Sequence, residues 1–589
     1  MKKTTPSIFN DSLVFITSLV ALVALVLDFG YRFSFWMHLL TDVFYLLFGL
    51  VYSSFFFQQF PGWRKLKQRP FGYYVAFSLS FLLSLIALAN TVNFAINDSV
   101  SFNIYTAGLV FILTLLELSG RLYNLNRQTL HPALVFALSF VVLICIGTLL
   151  LMTPRAAAHE IHFTDALFTA TSAVCVTGLA VLDTGKDFTL MGQLTILGLI
   201  QLGALGMLSF TSLFALFFKG FGSFESRLNI KDMINAETLE GTFKRLIQII
   251  IFVFVVEGLG AFLIFLTLGD QFDSFNQRLF FSIFHSVSAF CNAGFSTLSH
   301  SLYETGFRYN YNLHIIIAIL IVAGGLGYGV VINLTKYLQR WFLYGSHRIF
   351  RFHWGVKAEK IKPQTSLNSK IVVYTSLILI VVGSIIFYAL EFDNTLKKHS
   401  IYGKLITAIF GSITTRTAGF NTIDTGSLHM STLMIVLLLM WIGASPGSTG
   451  GGIKTTTFAV ATFNIVQQVF GYKQIKIGFR RIAPQALQRA TAIISLSLIV
   501  IGASTFLLIF FDEQLGIMPI AFECFSAFST VGLSMGITSE LSEASRLILI
   551  ITMFVGRVSL LTLLTGIVRQ IHSYEFQPIE YPEEEILIN

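Results

Sequence analysis

Charge is what this chain has least of. Of 589 residues only 12% are Asp, Glu, Lys or Arg, against 54% hydrophobic, and the mean hydropathy is +0.74. A soluble domain is about one-quarter charged, so the composition excludes one and implies an integral membrane protein. Cysteine is scarce as well. Cys145, Cys175, Cys291 and Cys524 show no CxxC or Cys/His spacing and lie inside apolar or small-residue segments. Neither a disulfide framework nor a zinc site follows from them. No paired carboxylates, nucleophile elbow or metal motif occurs, which argues against an enzyme, and no dinucleotide-binding unit is present, so no nucleotide is expected on this chain. His285 and His429 have no carboxylate or cysteine partner at useful spacing and read as polar residues of the membrane interface. The net charge of +8 would suggest nucleic acid in a soluble protein. Here the charges fall between long apolar runs, and the positive-inside rule explains them without nucleic acid.

The apolar runs come in two sets. The first gives four spans, near 12–31, 35–57, 73–96 and 104–123, each close to the ~20 residues a bilayer crossing needs. Lys2 and Lys3 precede the first, but no small-x-small cleavage site follows it, so it reads as an uncleaved span. Arg64, Lys65, Lys67 and Arg69 mark the turn between the second and third as cytoplasmic, which puts the N-terminus and the segment 121–127 there too. A voltage sensor needs arginines at every third position of one helix; the fourth span offers only Arg121, with Glu117 nearby. Residues 1–130 therefore read as an accessory bundle with Asp28, Asp42 and Glu117 interfacial or paired inside it.

The second set repeats. Segments around Phe168–Asp183, Phe284–Leu298, Phe410–Ile423 and Phe522–Gly536 each run from apolar to small residues and reach one glycine followed by Leu or Phe. The glycines are Gly178, Gly294, Gly419 and Gly532, spaced by 116, 125 and 113 residues, with Ala173, Ala289, Thr414 and Ala527 five positions before them. Such a period points to internal repeats, at about 131–220, 243–345, 370–470 and 489–571, followed by an acidic tail, 572–589. Each repeat reads apolar span, glycine segment, second apolar span. About 10–14 apolar residues precede each glycine, too few to cross, so each segment reads as a re-entrant helix and loop. Four copies with the same orientation can surround one axis along the membrane normal. The expected fold is an all-α polytopic membrane protein of about 12 spans. Lys219, Arg227, Lys231, Lys336, Arg340, Arg348, Arg351, Lys357, Lys360, Lys362, Lys473, Lys476, Arg480, Arg481 and Arg489 follow the second spans, so the glycine segments enter from outside and the C-terminus is cytoplasmic.

Glycine adopts the positive φ values that turn successive carbonyls inward, and a ring of carbonyls can replace a cation's hydration shell without fixed charge. The second span of the third repeat breaks differently. Gly443-Ala-Ser-Pro-Gly-Ser-Thr-Gly-Gly-Gly-Ile-Lys454, with Pro446 and five glycines, cannot continue a helix. It is no nucleotide loop, because Ile453 separates Gly452 from Lys454. Two intramembrane charges, Glu257 and Arg557, are expensive in hydrocarbon and should face a path or a partner. Pairing of Glu257 with Lys454 or Arg557 is as compatible with the pattern as a role in ion coupling.

Ala173–Asp183, the RTAGFNT run at 416–422 and the STGGGIK run ending at Lys454 resemble the Trk/Ktr/HKT superfamily of potassium transporters, and most closely its TrkH/KtrB-type pore subunits. The resemblance covers about 131–571 and leaves the four N-terminal spans outside. It implies potassium uptake, with filter carbonyls at Val176, Thr177 and Gly178, at Asn292, Ala293 and Gly294, at Thr417, Ala418 and Gly419, and at Thr530, Val531 and Gly532. It also implies a gate at 443–457 that includes Gly443, Gly447, Ser448, Thr449, Gly450, Gly451, Gly452 and Lys454, opposed by Arg557. In relatives that favour sodium a serine replaces the first filter glycine, so Gly178 points to potassium (K+), with sodium (Na+) possible as a coupling or activating ion. A homodimer, a cytosolic ring of nucleotide-binding RCK-type subunits touching loops 219–243, 344–370 and 470–489 or the tail at 580–585, and a bacterial plasma membrane complete the implied picture. A secondary transporter with alternating access stays open as the alternative; it would show inverted repeats and two broken helices.

Overall fold

The computed structural model describes residues 7–31, 35–58, 71–97, parts of 106–117, 132–219, 242–350 apart from 270, 366–471, 476–477 and 480–571. The basic turn at 64–69, the segments 121–127, 220–241 and 351–365, the acidic tail and part of the expected fourth span lie outside the described residues. The described chain is α-helical apart from a hairpin of two-residue strands, Lys476–Ile477 against Arg480–Arg481.

Three N-terminal helices, α1 (Ser7–Gly30), α2 (Phe35–Gln58) and α3 (Phe71–Asn97), are 24, 24 and 27 residues long. At 1.5 Å per residue each is long enough for the ~30 Å hydrocarbon layer. They bury Ala21, Leu25, Tyr45, Phe48, Tyr52, Leu83 and Ala87 against one another. Two of the three carboxylates expected inside this bundle have tyrosine partners: Tyr45 donates to Asp28 at 3.4 Å and Tyr52 to Glu117 at 3.3 Å. The bundle is tied to the rest at one end, where the Arg155 N–H donates to the Gly30 carbonyl at 3.0 Å.

Four helix–short helix–helix units follow. They are α4 (Pro132–Leu151), α5 (Phe163–Val174) and α6 (Leu190–Lys219); α7 (Thr242–Thr267), α8 (Phe275–Cys291), α9 (Tyr311–Leu326) and α10 (Tyr328–Phe350); α11 (Leu367–Glu391), α12 (Ile401–Thr414), α13 (Met430–Trp441) and α14 (Thr455–Val469); and α15 (Pro484–Phe511), α16 (Ile517–Ser529), α17 (Glu543–Val558) and α18 (Leu560–Ile571). The short helices α5, α8, α12 and α16 have 12, 17, 14 and 13 residues and cannot cross a bilayer. Ser274 and Ser400 cap two of them by accepting from the N–H of Gln277 and Gly403.

The order of the units around the axis follows from packing. The second helix of each unit lies on the short helix of the next: α6 on α8, α9 on α12, α13 on α16, and α17 back on α5. The ring closes there, with an ion pair between Arg546 of α17 and Asp165 of α5. Within units, glycines let backbones meet. A Cβ at Gly203, Gly324 or Gly556 would lie 2.0, 1.9 or 1.8 Å from the carbonyl oxygen of Val174, Phe290 or Phe528, a close approach only glycine permits.

The second spans are broken more often than the sequence pattern indicates. Only the third was expected to break, yet α9 and α10 meet at a bend of 105° and α17 and α18 at 80°. The pivots are Gly327 at φ 78° and Ser559 at φ 73°. Gly327 breaks its helix because the gap beside it is filled by backbone: a Cβ there would lie 2.7 Å from the Gly447 carbonyl oxygen. Nothing in the sequence around Ser559 announces the second pivot.

Candidate functional site

The four glycine loops converge, and they touch in cyclic order. A Cβ at Gly178 would lie 2.3 Å from the Ala293 carbonyl oxygen, one at Gly294 2.8 Å from that of Ala418, one at Gly419 2.5 Å from that of Val531, and one at Gly532 2.2 Å from that of Thr177. Each glycine thus presses on the residue that precedes the next glycine, around a closed ring. All four have positive φ, between 71° and 89°. The residue two positions earlier is left-handed as well: Val176 at 56°, Asn292 at 60°, Thr417 at 66° and Thr530 at 51°. For Val and Thr this is a genuine outlier. Such strain persists only where the surroundings over-determine it, and four copies at one level of one ring meet that condition.

Hydroxyls hold these loops from behind. Ser172 and Ser526 accept from the N–H of Gly178 and Gly532, both at 3.1 Å. Ser288 and Thr414 donate to the carbonyls of Phe295 and Phe420, both at 2.7 Å. The backbone carbonyls of the same four residues accept from Thr177, Ala293, Ala418 and Val531. Structurally, then, Thr414 matches Ser172, Ser288 and Ser526, not the alanines its spacing suggested, because the third loop is one residue shorter. The short helices end three to five residues before each glycine, so four C-terminal dipoles bring partial negative charge to the ring.

The broken stretch between α13 and α14 lies against the left-handed residues. A Cβ at Gly450 would lie 2.1 Å from the Thr417 hydroxyl, and one at Gly451 2.2 Å from that of Thr530. The Thr449 hydroxyl donates to the Phe290 carbonyl at 3.3 Å and lies 3.5 Å from the Asn292 side-chain amide. The loop closes on itself: Ile442 bridges Ile453, a Cβ at Gly443 would lie 2.2 Å from the Gly451 carbonyl, and both the N–H and hydroxyl of Ser448 donate to the Ser445 carbonyl. Gly447 takes φ 69°, and the Ser445 N–H donates to Gly325 at 3.0 Å. Two cations act on it, Lys454 within the loop and Arg557 from α17. Lys454 donates to the Gly450 carbonyl at 2.6 Å; Arg557, 3% exposed, donates to the carbonyls of Thr449 and of Gly203. The filter and gate residues expected from sequence therefore lie in one assembly.

Other polar groups correct or extend the sequence reading. Glu257 pairs with neither Lys454 nor Arg557. It accepts from Gln201 at 3.1 Å and from the Cys291 thiol at 3.5 Å, and so joins α7 to α6 and to the end of α8. His285 is no interface residue: it is fully buried, bonded to Ser296 and the Phe281 carbonyl at 2.9 Å each, and braces the chain just after Gly294. The N–H of His429 donates to Glu391 at 2.9 Å. Sequence reasoning missed Arg416, buried behind the third loop with Ser376 as its hydrogen-bond partner, and Glu523, which accepts from Ser534 and Thr538 beside the fourth.

This architecture is that of a polytopic helical membrane protein of four helix–loop–helix repeats in parallel around one axis. The family model described as TrkH, cation transport protein, matches residues 70–576, and the chain belongs to that family. The match begins about 60 residues before the 131 expected from motifs alone, so the family's extent takes in α3 and the expected fourth span. The chain is 35% identical over 457 residues to the Ktr system potassium uptake protein B of Bacillus subtilis, covering 77% of this chain and 96% of that one. It is also 35% identical over 468 residues to the potassium/sodium uptake protein NtpJ of Enterococcus hirae, covering 78% and 98%. The crystal structure of the potassium transporter TrkH from Vibrio parahaemolyticus superposes with a TM-score of 0.55 at 17% identity, over 88% of this chain and 97% of that one, which shows the shared fold.

Proposed function

We propose that this chain is a potassium-uptake pore whose filter is the ring at Gly178, Gly294, Gly419 and Gly532. The observation that carries the reading is the cyclic contact of four positive-φ glycine loops, each packed on the carbonyl that precedes the next glycine. Backbone oxygens so placed can exchange for a cation's water, and the names of the two bacterial relatives supply the ion. Expression in a potassium-uptake-deficient bacterium tests it. Growth at low external potassium is expected with the native chain and not with Gly178→Ser; no rescue by a well-expressed native chain would overturn the reading.

On this reading the path is shut by the loop 443–457. Its Thr449, Gly450 and Gly451 lie against Asn292, Thr417 and Thr530; Arg557 ties the loop to α6 at Gly203, and Lys454 closes it on itself at Gly450. Arg557→Ala, or removal of Gly450–Gly452, raises basal flux; unchanged flux at normal expression refutes the gate. The first quadrant, Val176, offers no side-chain oxygen where the others carry Asn292, Thr417 and Thr530, and this asymmetry supports weaker discrimination against sodium than a ring of identical loops gives. Similar potassium and sodium affinities are the expected result. Residues 1–130 serve as an accessory bundle, 131–571 as the pore and 572–589 as a tail. Both termini face the cytoplasm of a bacterial cell, and the pore works as a homodimer with an RCK-type nucleotide-binding ring. Alternating access is the second reading, favoured by the breaks at Gly327 and Ser559; the parallel ring of repeats favours the pore. Single-channel currents far above transporter turnover would separate the two.

A further inference from the structure

Two apolar cavities of about 420 Å³ open sideways between neighbouring repeats. That is within the usual size of small-molecule sites, roughly 300–1,000 Å³. One, between α6, α7 and α8, has Gln201 and Glu257 as its polar floor, and these already bond each other. The other lies between α9 and α12 and is lined by Ala318, Val322, Tyr402, Phe410 and Ile413, with His314 among them. Here the polar group is unmatched. His314 is 0% exposed; the Phe307 backbone lies toward its ring, but neither ring nitrogen makes a hydrogen bond of ordinary geometry. A buried imidazole carries a donor and an acceptor, and leaving them unmade is costly. The ring centroids of Tyr311 and Phe410 lie 6.1 and 5.7 Å away, Phe410 has no polar group, and the Tyr311 hydroxyl is bonded instead to His399 at 3.0 Å. A narrow cleft continues inward past the shared Val322 and Ile413 to Arg416, Gly325 and Ala444, the last within the unwound segment after α13.

We infer that the α9–α12 cavity binds a membrane-dissolved amphiphile, one apolar chain carrying a neutral hydroxyl head, with the head on His314 and the chain directed along Val322 and Ile413. The lining excludes a charged ligand at the head: the aromatic and aliphatic wall would desolvate it without compensation. An occupant wedges between a second span of one repeat and the short helix of the next, and its tail points toward the loop that abuts Thr417 and Thr530. Occupancy is thereby placed to bias that loop from the lipid side, independently of any cytoplasmic subunit.

The test uses the full chain in phosphatidylcholine nanodiscs with hexadecanol bearing a diazirine on its chain. After irradiation, adducts are expected to concentrate on residues 315–322 and 406–413 and to fall with excess unlabelled hexadecanol. His314→Leu should cut that labelling about tenfold, the worth of roughly one good hydrogen bond. His314→Gln, which keeps a donor and an acceptor, should retain most of it. An unchanged melting midpoint, and unchanged background labelling of the α6–α7 cavity, show that a variant is folded. Adducts spread evenly over the lipid-facing helices mean an adventitious additive only and overturn the inference. Equal competition by hexadecane removes head-group recognition and overturns it too. Neither outcome depends on potassium flux, so failure here and failure of the pore reading remain distinct.

Discussion

Replacing the axial glycines by alanine, one repeat at a time, should produce a graded series whose order the backbone already sets. Each position has φ between 71° and 89°, where an L-residue costs about 1–2 kcal/mol. The added methyl then meets the neighbouring carbonyl oxygen at 2.2 Å for Gly532, 2.3 Å for Gly178, 2.5 Å for Gly419 and 2.8 Å for Gly294. Overpacking of this kind typically adds about 1–3 kcal/mol, so the tightest two sites should lose about 3–5 kcal/mol and Gly294 nearer 2. The displaced atom in each case belongs to the next repeat: alanine at 532 pushes on Thr177, and alanine at 178 on Ala293. Displacement approaching 1 Å at a working site can cost about a hundredfold in rate. Rubidium uptake and the melting midpoint in detergent should both fall in the order Gly532 ≈ Gly178, then Gly419, then Gly294. A Gly294→Ala protein as damaged as Gly532→Ala, or a Gly532→Ala protein with full uptake, would refute the geometric argument.

Other outcomes follow from contacts away from the axis. Asp165→Asn and Arg546→Gln, which open the seam between the fourth and first repeats, should show a coupling of about 1–2 kcal/mol in a double-mutant cycle on thermal unfolding; additive effects would mean the seam holds by apolar packing alone. Glu391 is fully buried and accepts from Asn394, Thr395, Thr432 and the His429 N–H. Its replacement by alanine should cost about 3 kcal/mol, and glutamine should recover part of that; an unshifted midpoint for Glu391→Ala would show these donors find other partners. His399, on the loop between α11 and α12, is held below the ordinary histidine value by burial and by the nearby Arg308 and Lys404. The unfolded chain then binds the extra proton first, so stability is full above about pH 6.5 and declines as the solution is acidified below it. The midpoint should fall between pH 7.5 and pH 5 and do so less in His399→Gln; an equal fall in both would assign the loss to other groups.

The four repeats were readable because glycine is the residue that positive φ selects, and a glycine at four equivalent places survives as a pattern. The left-handed Val176, Thr417 and Thr530 were not readable, since β-branched side chains are the last expected there; only the ring as a whole imposes them. The unwound stretch at 443–454 was visible through Pro446 and its glycines. The pivot at Ser559 has no such mark, and the one at Gly327 is explained by a carbonyl 120 residues away in sequence. Glu257 and His285 show the same limit. Glu257 announces a buried polar role by its place in an apolar span, whereas His285 reads from sequence as an interface residue; for both, the partners, Gln201 with Cys291 and Ser296, come from other elements or other turns of the chain that spacing cannot reveal.

One asymmetry has a kinetic meaning. A fourfold-identical pore must move four copies of any obstruction together, and its response to a signal is correspondingly steep. On the proposed gate reading a single segment stands in the way here, closed on itself by Lys454 and tied to its surroundings by Arg557, while the second spans of the other repeats keep their close contacts at Gly203, Gly324 and Gly556. Opening such a pore is one local event with one barrier. Its opening rate should change in simple proportion to mutations at 449–454 and 557, without the all-or-none coordination among quadrants that identical subunits enforce.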